Sequence, residues 1–201
     1  MHRKTLSCIV SALLVVALAP CSSALGQGPG PVHFRGLIND YSPSTVKGGP
    51  WEMHGTWTMD LTGLSGTANF SAVMTMSDDV IKVNNVSVID PTQPGQNAHT
   101  HNIQLTNATV TWNMDGCPAF SPSTKMGFQI NGTVSLLTGN GTNAPFETTP
   151  PSSTLQVCVT GGYDIPYSVP FSNITLVFSG PATSHFGTQA IHGVVRTDNT
   201  P

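Results

Sequence analysis

Trp51-Glu52-Met53-His54-Gly55-Thr56-Trp57-Thr58-Met59-Asp60-Leu61 decides the fold class of this chain. The odd positions are apolar or glycine, and the even positions are all polar. Successive side chains of a strand point to opposite faces, so this stretch is a strand with one dry and one wet face. Ala68, Phe70, Ala72, Met74 and Met76 repeat the period. Between the two runs, Gly63-Leu64-Ser65-Gly66 supplies residues suited to a tight turn.

Working outward, further strands are expected at 32–38, 80–89, 99–105, 108–112, 126–136, 155–159, 174–178 and 190–196, with a bulge or turn between 105 and 108. Met126, Phe128, Ile130, Val134 and Leu136 keep one parity through Asn131-Gly132, which places Gly132 on the inner face. Pro91-Thr92-Gln93-Pro94-Gly95 and Asn140-Gly141 break the chain, and the polar stretches 120–124 and 143–154 read as loops. A sustained 3.6-residue period is absent beyond the first residues. Eight to ten strands with one-sided patterning give an all-β domain, either an antiparallel β-barrel or a two-sheet β-sandwich. Inward Gly55 and Gly132 favour the barrel, because a missing side chain lets a strand bend sharply.

The start of the chain has a different character. His2, Arg3 and Lys4 precede an apolar run at 6–19, and the small residues Ser22, Ser23, Ala24 and Gly26 follow. That order is the pattern of a secretory signal peptide. The run is shorter than the roughly 20 residues a membrane-spanning helix needs. Residues 1–26 are therefore expected to be a signal peptide, 27–31 a flexible leader and 32–201 a single all-β domain. Leu18-Ala19-Pro20-Cys21 gives a second processing route, in which Cys21 becomes a lipid-bearing N-terminus. The expected location is secreted, periplasmic or cell-envelope.

Charged residues make up only 8% of the chain, and the formal charge is −3. Loss of Arg3 and Lys4 with the expected signal peptide would make the charge more negative. Such a surface lacks the basic stripe of a nucleic-acid binder and the polybasic patch that docks on anionic lipid. Cys117 and Cys158 are the two cysteines beyond the leader, and in an oxidising compartment they are expected to form a disulfide. Asn-x-Ser/Thr sequons stand at Asn69, Asn85, Asn107, Asn131, Asn140 and Asn173.

One pattern carries chemistry. His99 and His101 lie two apart on a strand, so both imidazoles project from one face, in parity with Ile103 and Leu105. Imidazoles on an otherwise apolar face are donors for zinc or copper, with His185 or His192 as further ligands from the C-terminal region. The Gly180–Gly187 loop holds His185 and Phe186 where they could line a pocket mouth. Trp51 and Trp57 read as core. No nucleophile elbow, phosphate loop or zinc-protease helix motif occurs, so nothing in the sequence assigns an enzymatic reaction.

Three roles follow. The first is a non-enzymatic binding or interaction protein for a small molecule or another protein. The second is a zinc or copper protein or enzyme built on the His-x-His pair. The third is a structural envelope or matrix component. A metal assay separates the second from the others, and the most informative feature is whether His99, His101, His185 and His192 converge. A cavity lined by Phe70, Met74 and Phe128 would favour the first, and a packed interior with no pocket would favour the third.

Overall fold

The computed structural model describes residues 32–46, 49–62, 66–78, 80–83, 86–89, 96–118, 124–140, 153–162 and 172–196. The expected signal peptide and leader, with Cys21, lie outside the described residues, as do the breaks at 63–65 and 91–95 and most of the expected loops at 120–124 and 143–154. Among the described residues ten strands are present: β1 (Val32–Tyr41), β2 (Glu52–Leu61), β3 (Thr67–Asp78), β4 (Val80–Val83), β5 (Val86–Ile89), β6 (Gln96–Thr111), β7 (Thr124–Asn140), β8 (Thr154–Gly162), β9 (Asn173–Ser179) and β10 (Ile191–Val195). A 3₁₀ turn (Gly180–Ala182) and one turn of α-helix, α1 (Thr183–Phe186), separate β9 from β10. Among the described residues no helix is long and apolar enough to cross a membrane.

Eight strands close into a barrel in the order β1, β2, β3, β6, β7, β8, β9, β10, and each neighbour is antiparallel. Gly36, Leu37 and Ile38 of β1 pair with Val195, Val194 and Gly193 of β10 and complete the ring. Closure leaves these eight strands without an exposed sheet edge. The β4–β5 hairpin forms a separate two-stranded sheet inserted between β3 and β6.

Alternation builds the interior. On β2, Met53, Trp57, Met59 and Leu61 are buried, whereas His54, Thr56, Thr58 and Asp60 are exposed. Trp51 and Trp57 both belong to the core. Phe70, Met74 and Phe128 are each at most 2% exposed and pack within that same core, Phe128 against Phe34 and Trp112.

The inward glycines explain the barrel. Gly55 lies between Ile38 and Met74 in the pairing register. A Cβ on Gly55 would stand 2.0 Å from the Val73 carbonyl oxygen, and one on Gly193 2.3 Å from that of Leu37. The backbones approach too closely there for any side chain, as strongly coiled strands require. Gly132 also faces inward, toward Ala108 and Leu105.

One expectation needs revision, and one alternative is decided. Residues 80–89 read as one strand but form two, because the chain reverses so that Val83 pairs with Val86. Asn84-Asn85, a turn-favouring pair, interrupts the apolar run there. Of the bulge or turn expected between 105 and 108, the bulge is found: residues 99–105 and 108–111 belong to one strand, β6, which ends before Trp112. At the bulge Asn107 has φ of 55°, and its N–H donates to Asn69 Oδ1 at 3.0 Å.

Cys117 and Cys158 form a disulfide with α-carbons 6.0 Å apart. Cys158 lies on β8 between the inward Val157 and Val159, yet it is fully buried. The segment after β6 is tied down against this face. Gln129 Nε2 donates to Asn113 Oδ1 at 2.9 Å and to the Asp115 carbonyl at 2.8 Å, while Gln129 Oε1 accepts from Asn131 and Gln156.

Candidate metal centre

Strand parity sets the first two residues of the site. His99 and His101 stand at the start of β6, continue the inner face of Ile103 and Leu105, and are 2% and 0% exposed. The third comes from the opposite side of the same barrel end. After β9, Gly180 takes a positive φ and Pro181 opens the 3₁₀ turn, which runs into α1. This short cap carries His185 and Phe186, both buried. Gly187, with φ of 83°, ends the cap against the ring of Pro43. A buried hydrogen bond of 2.9 Å from Ala182 N to Ser153 Oγ ties the cap to the start of β8.

The three imidazoles meet at their Nε2 atoms. His185 Nε2 lies 3.1 Å from His99 Nε2 and 2.9 Å from His101 Nε2. One ligand atom from each residue can be chosen so that all three fall within 4.8 Å of one another. Among the described residues this is the one group of three or more histidine, cysteine or carboxylate side chains with such spacing. Zinc bound tetrahedrally at about 2.0–2.1 Å per nitrogen would separate its ligand nitrogens by about 3.3–3.4 Å. The two His185 Nε2 contacts, at 3.1 and 2.9 Å, are slightly shorter than that spacing.

Protonation is fixed by the surroundings. His101 Nδ1 lies 2.9 Å from the Thr138 carbonyl oxygen on β7. A carbonyl only accepts, so Nδ1 carries the proton and Nε2 of the neutral ring turns a lone pair toward the cluster. A ring N–H donated to a backbone carbonyl is the usual outer support of a metal-ligating histidine. Burial lowers the pKa of His101 to about 4, helped by neighbouring His99 and opposed by the Thr138 hydrogen bond. Burial lowers that of His185 further, to about 3, with His101 and His99 adding to the effect. Both rings are neutral near pH 7 and have no proton to lose on ligation.

Aromatic side chains wall the cluster. Trp51 meets His99 edge-on at 5.0 Å, and Phe186 meets His101 at 5.0 Å and stacks on Phe178 at 4.5 Å. The β1–β2 connection positions Trp51, whose N–H donates to Ser42 Oγ at 2.8 Å.

His192 is placed elsewhere. It faces outward on β10 beside Asp40, with Nδ1 2.7 Å from Oδ2, and its side chain is 44% exposed. Strand parity in the sequence already separates it from buried Ile191 and Gly193. The supporting roles of Thr138, Trp51 and Ser153 had no such signal, since each depends on which strands become neighbours. A surface depression of about 500 Å³ lies over β7, β8 and β9, lined by Thr133, Thr154, Gln156 and Val177, and includes none of the clustered histidines. No protein family, no curated protein and no solved structure matches the chain.

Proposed function

We propose that this protein binds a transition-metal ion, zinc or copper, through His99, His101 and His185. The observation that carries the proposal is the meeting of three buried Nε2 atoms, one of them held as a lone-pair donor by the Thr138 carbonyl. Without a metal the contacts compete. His101 Nε2 has no proton, so its contact requires a proton on His185 Nε2. That same proton is the one His185 Nε2 would offer to His99. A metal ion would resolve the competition once the His185 proton shifts from Nε2 to Nδ1, so that each ring offers an Nε2 lone pair, and it would offset the cost of removing three imidazoles from water.

Each residue has a separate part. His99 and His101 form the fixed half of the centre on β6. His185 closes it from the cap, while Trp51, Phe178 and Phe186 exclude water. Export is proposed alongside metal binding. It is supported by the charged start, the apolar run and the small-residue region, and a Cys117–Cys158 disulfide is compatible with an oxidising compartment.

The test is elemental analysis of the purified protein and of the variant carrying His99→Ala and His101→Ala, with thermal melts in added zinc or copper. The wild type is expected to retain metal and to melt higher when it is added, and the variant to do neither. Equal metal content and equal shifts in the two proteins would remove the histidine centre.

A further inference from the structure

The pairing register around the centre places methionines beside its histidines. Met76 is directly opposite His99, and Met74 directly opposite His101, across the β3–β6 ladder. Met53 is in turn opposite Met76 on β2. Directly paired residues share a face, with β-carbons about 4.5–5.5 Å apart. Met53, Met74 and Met76 are each at most 1% exposed, so their thioethers are confined to the interior that holds the imidazoles. Methionine is unbranched and adaptable, and its sulfur can approach a neighbouring group without backbone movement.

We propose that the metal at this centre is copper(I), bound by His99, His101 and His185 together with a thioether from Met74 or Met76. This rests on the histidine centre proposed above and specifies its occupant. Softness supports the choice, because thioether and imidazole donors together suit copper(I), whereas zinc centres draw on imidazole, thiolate and carboxylate. Charge supports it independently. Among the described residues neither carboxylate nor thiolate joins the three histidines. Every donor in the set is neutral, so the ion's charge is not cancelled within the site. The cost of burying an ion grows with the square of its charge, so a divalent ion costs about four times as much as a monovalent one of equal size. A dry, aromatic-walled site with neutral donors therefore favours the monovalent ion.

The test uses the whole mature protein, stripped of metal. Copper(I), kept reduced with ascorbate, is titrated in competition with a chromophoric copper(I) chelator, and zinc(II) against a zinc indicator. Both titrations are repeated on the variant carrying Met74→Leu and Met76→Leu, a pair of near-isosteric changes expected to preserve the core. Copper(I) affinity is expected to fall on the order of ten-fold or more in the variant, the scale on which losing a supporting contact acts. Zinc affinity is expected to be unchanged. X-ray absorption of the copper(I)-loaded wild type is expected to show a sulfur neighbour, a readout that does not depend on the variant folding. Metal binding through the histidines with no sulfur neighbour and no effect of the methionine changes would overturn copper–thioether ligation and leave the histidine centre standing. Failure of both metals to bind the wild type would overturn both.

Discussion

Acid should destabilise the metal-free protein well before it reaches the carboxylates. His101 and His185 have folded-state pKa values lowered from 6.5 to about 4 and about 3, with burial the largest cause in each. At pH 7.5 both rings are neutral, folded or unfolded, and contribute no pH dependence. Below pH 6.5 the unfolded chain takes up two protons that the folded barrel cannot accept, so the unfolded state is favoured increasingly. Each group costs about 1.4 kcal/mol per pH unit in this window. At pH 5 the loss is about 2 kcal/mol for each ring and about 4 kcal/mol for the pair, a substantial part of an ordinary domain's stability. The loss levels off for each ring only below its own folded pKa, near 4 and near 3. Urea unfolding with chelator present, followed by tryptophan fluorescence at pH 7.5, 6.5, 5.5 and 5.0, measures this directly. The variant carrying His101→Leu and His185→Leu provides the comparison, and the wild type should lose more stability than the variant on acidification. Parallel curves for the two proteins, or a wild type that gains stability toward pH 5, would show that these rings are not buried and neutral.

Two further outcomes follow from the packing. The Cys117–Cys158 crosslink spans a sequence separation of 41. Replacing both cysteines by serine should therefore lower stability by on the order of 3–4 kcal/mol on chain entropy, read as a lower urea midpoint under non-reducing conditions. Native alkylation of both thiols in the wild type would refute the bond. Ser153→Ala removes the acceptor of the buried Ala182 N–H that anchors the cap. About 1–3 kcal/mol should be lost, together with metal affinity because His185 is then less firmly held. Unchanged metal affinity would mean that the anchor does not position the ligand.

How much of this was legible depends on the range over which each feature is set. Period-two alternation is a property of a few consecutive residues, and it identified β2, β3 and the inner face of β7. It also placed His99 and His101 on one face before any pairing was known. Alternation does not reveal the hairpin at 80–89, because apolar residues run on both sides of Asn84-Asn85 and the period carries no mark of a reversal of direction. The barrel, rather than a sandwich, was only suggested by Gly55 and Gly132. It became definite through the β1–β10 pairing, between residues more than 150 positions apart in sequence.

The sequence by itself determined the all-β class, the two cysteines available to pair and the projection of His99 with His101. Each rests on side-chain chemistry or on local backbone geometry, which neighbouring residues are enough to specify. Only the tertiary structure decided that His185 joins the pair while His192 turns outward to Asp40. It also placed Met74 and Met76 beside the two histidines and brought the Thr138 carbonyl to His101. These contacts exist because strand order and register bring distant segments together, and register is set by the packing of the whole barrel at once.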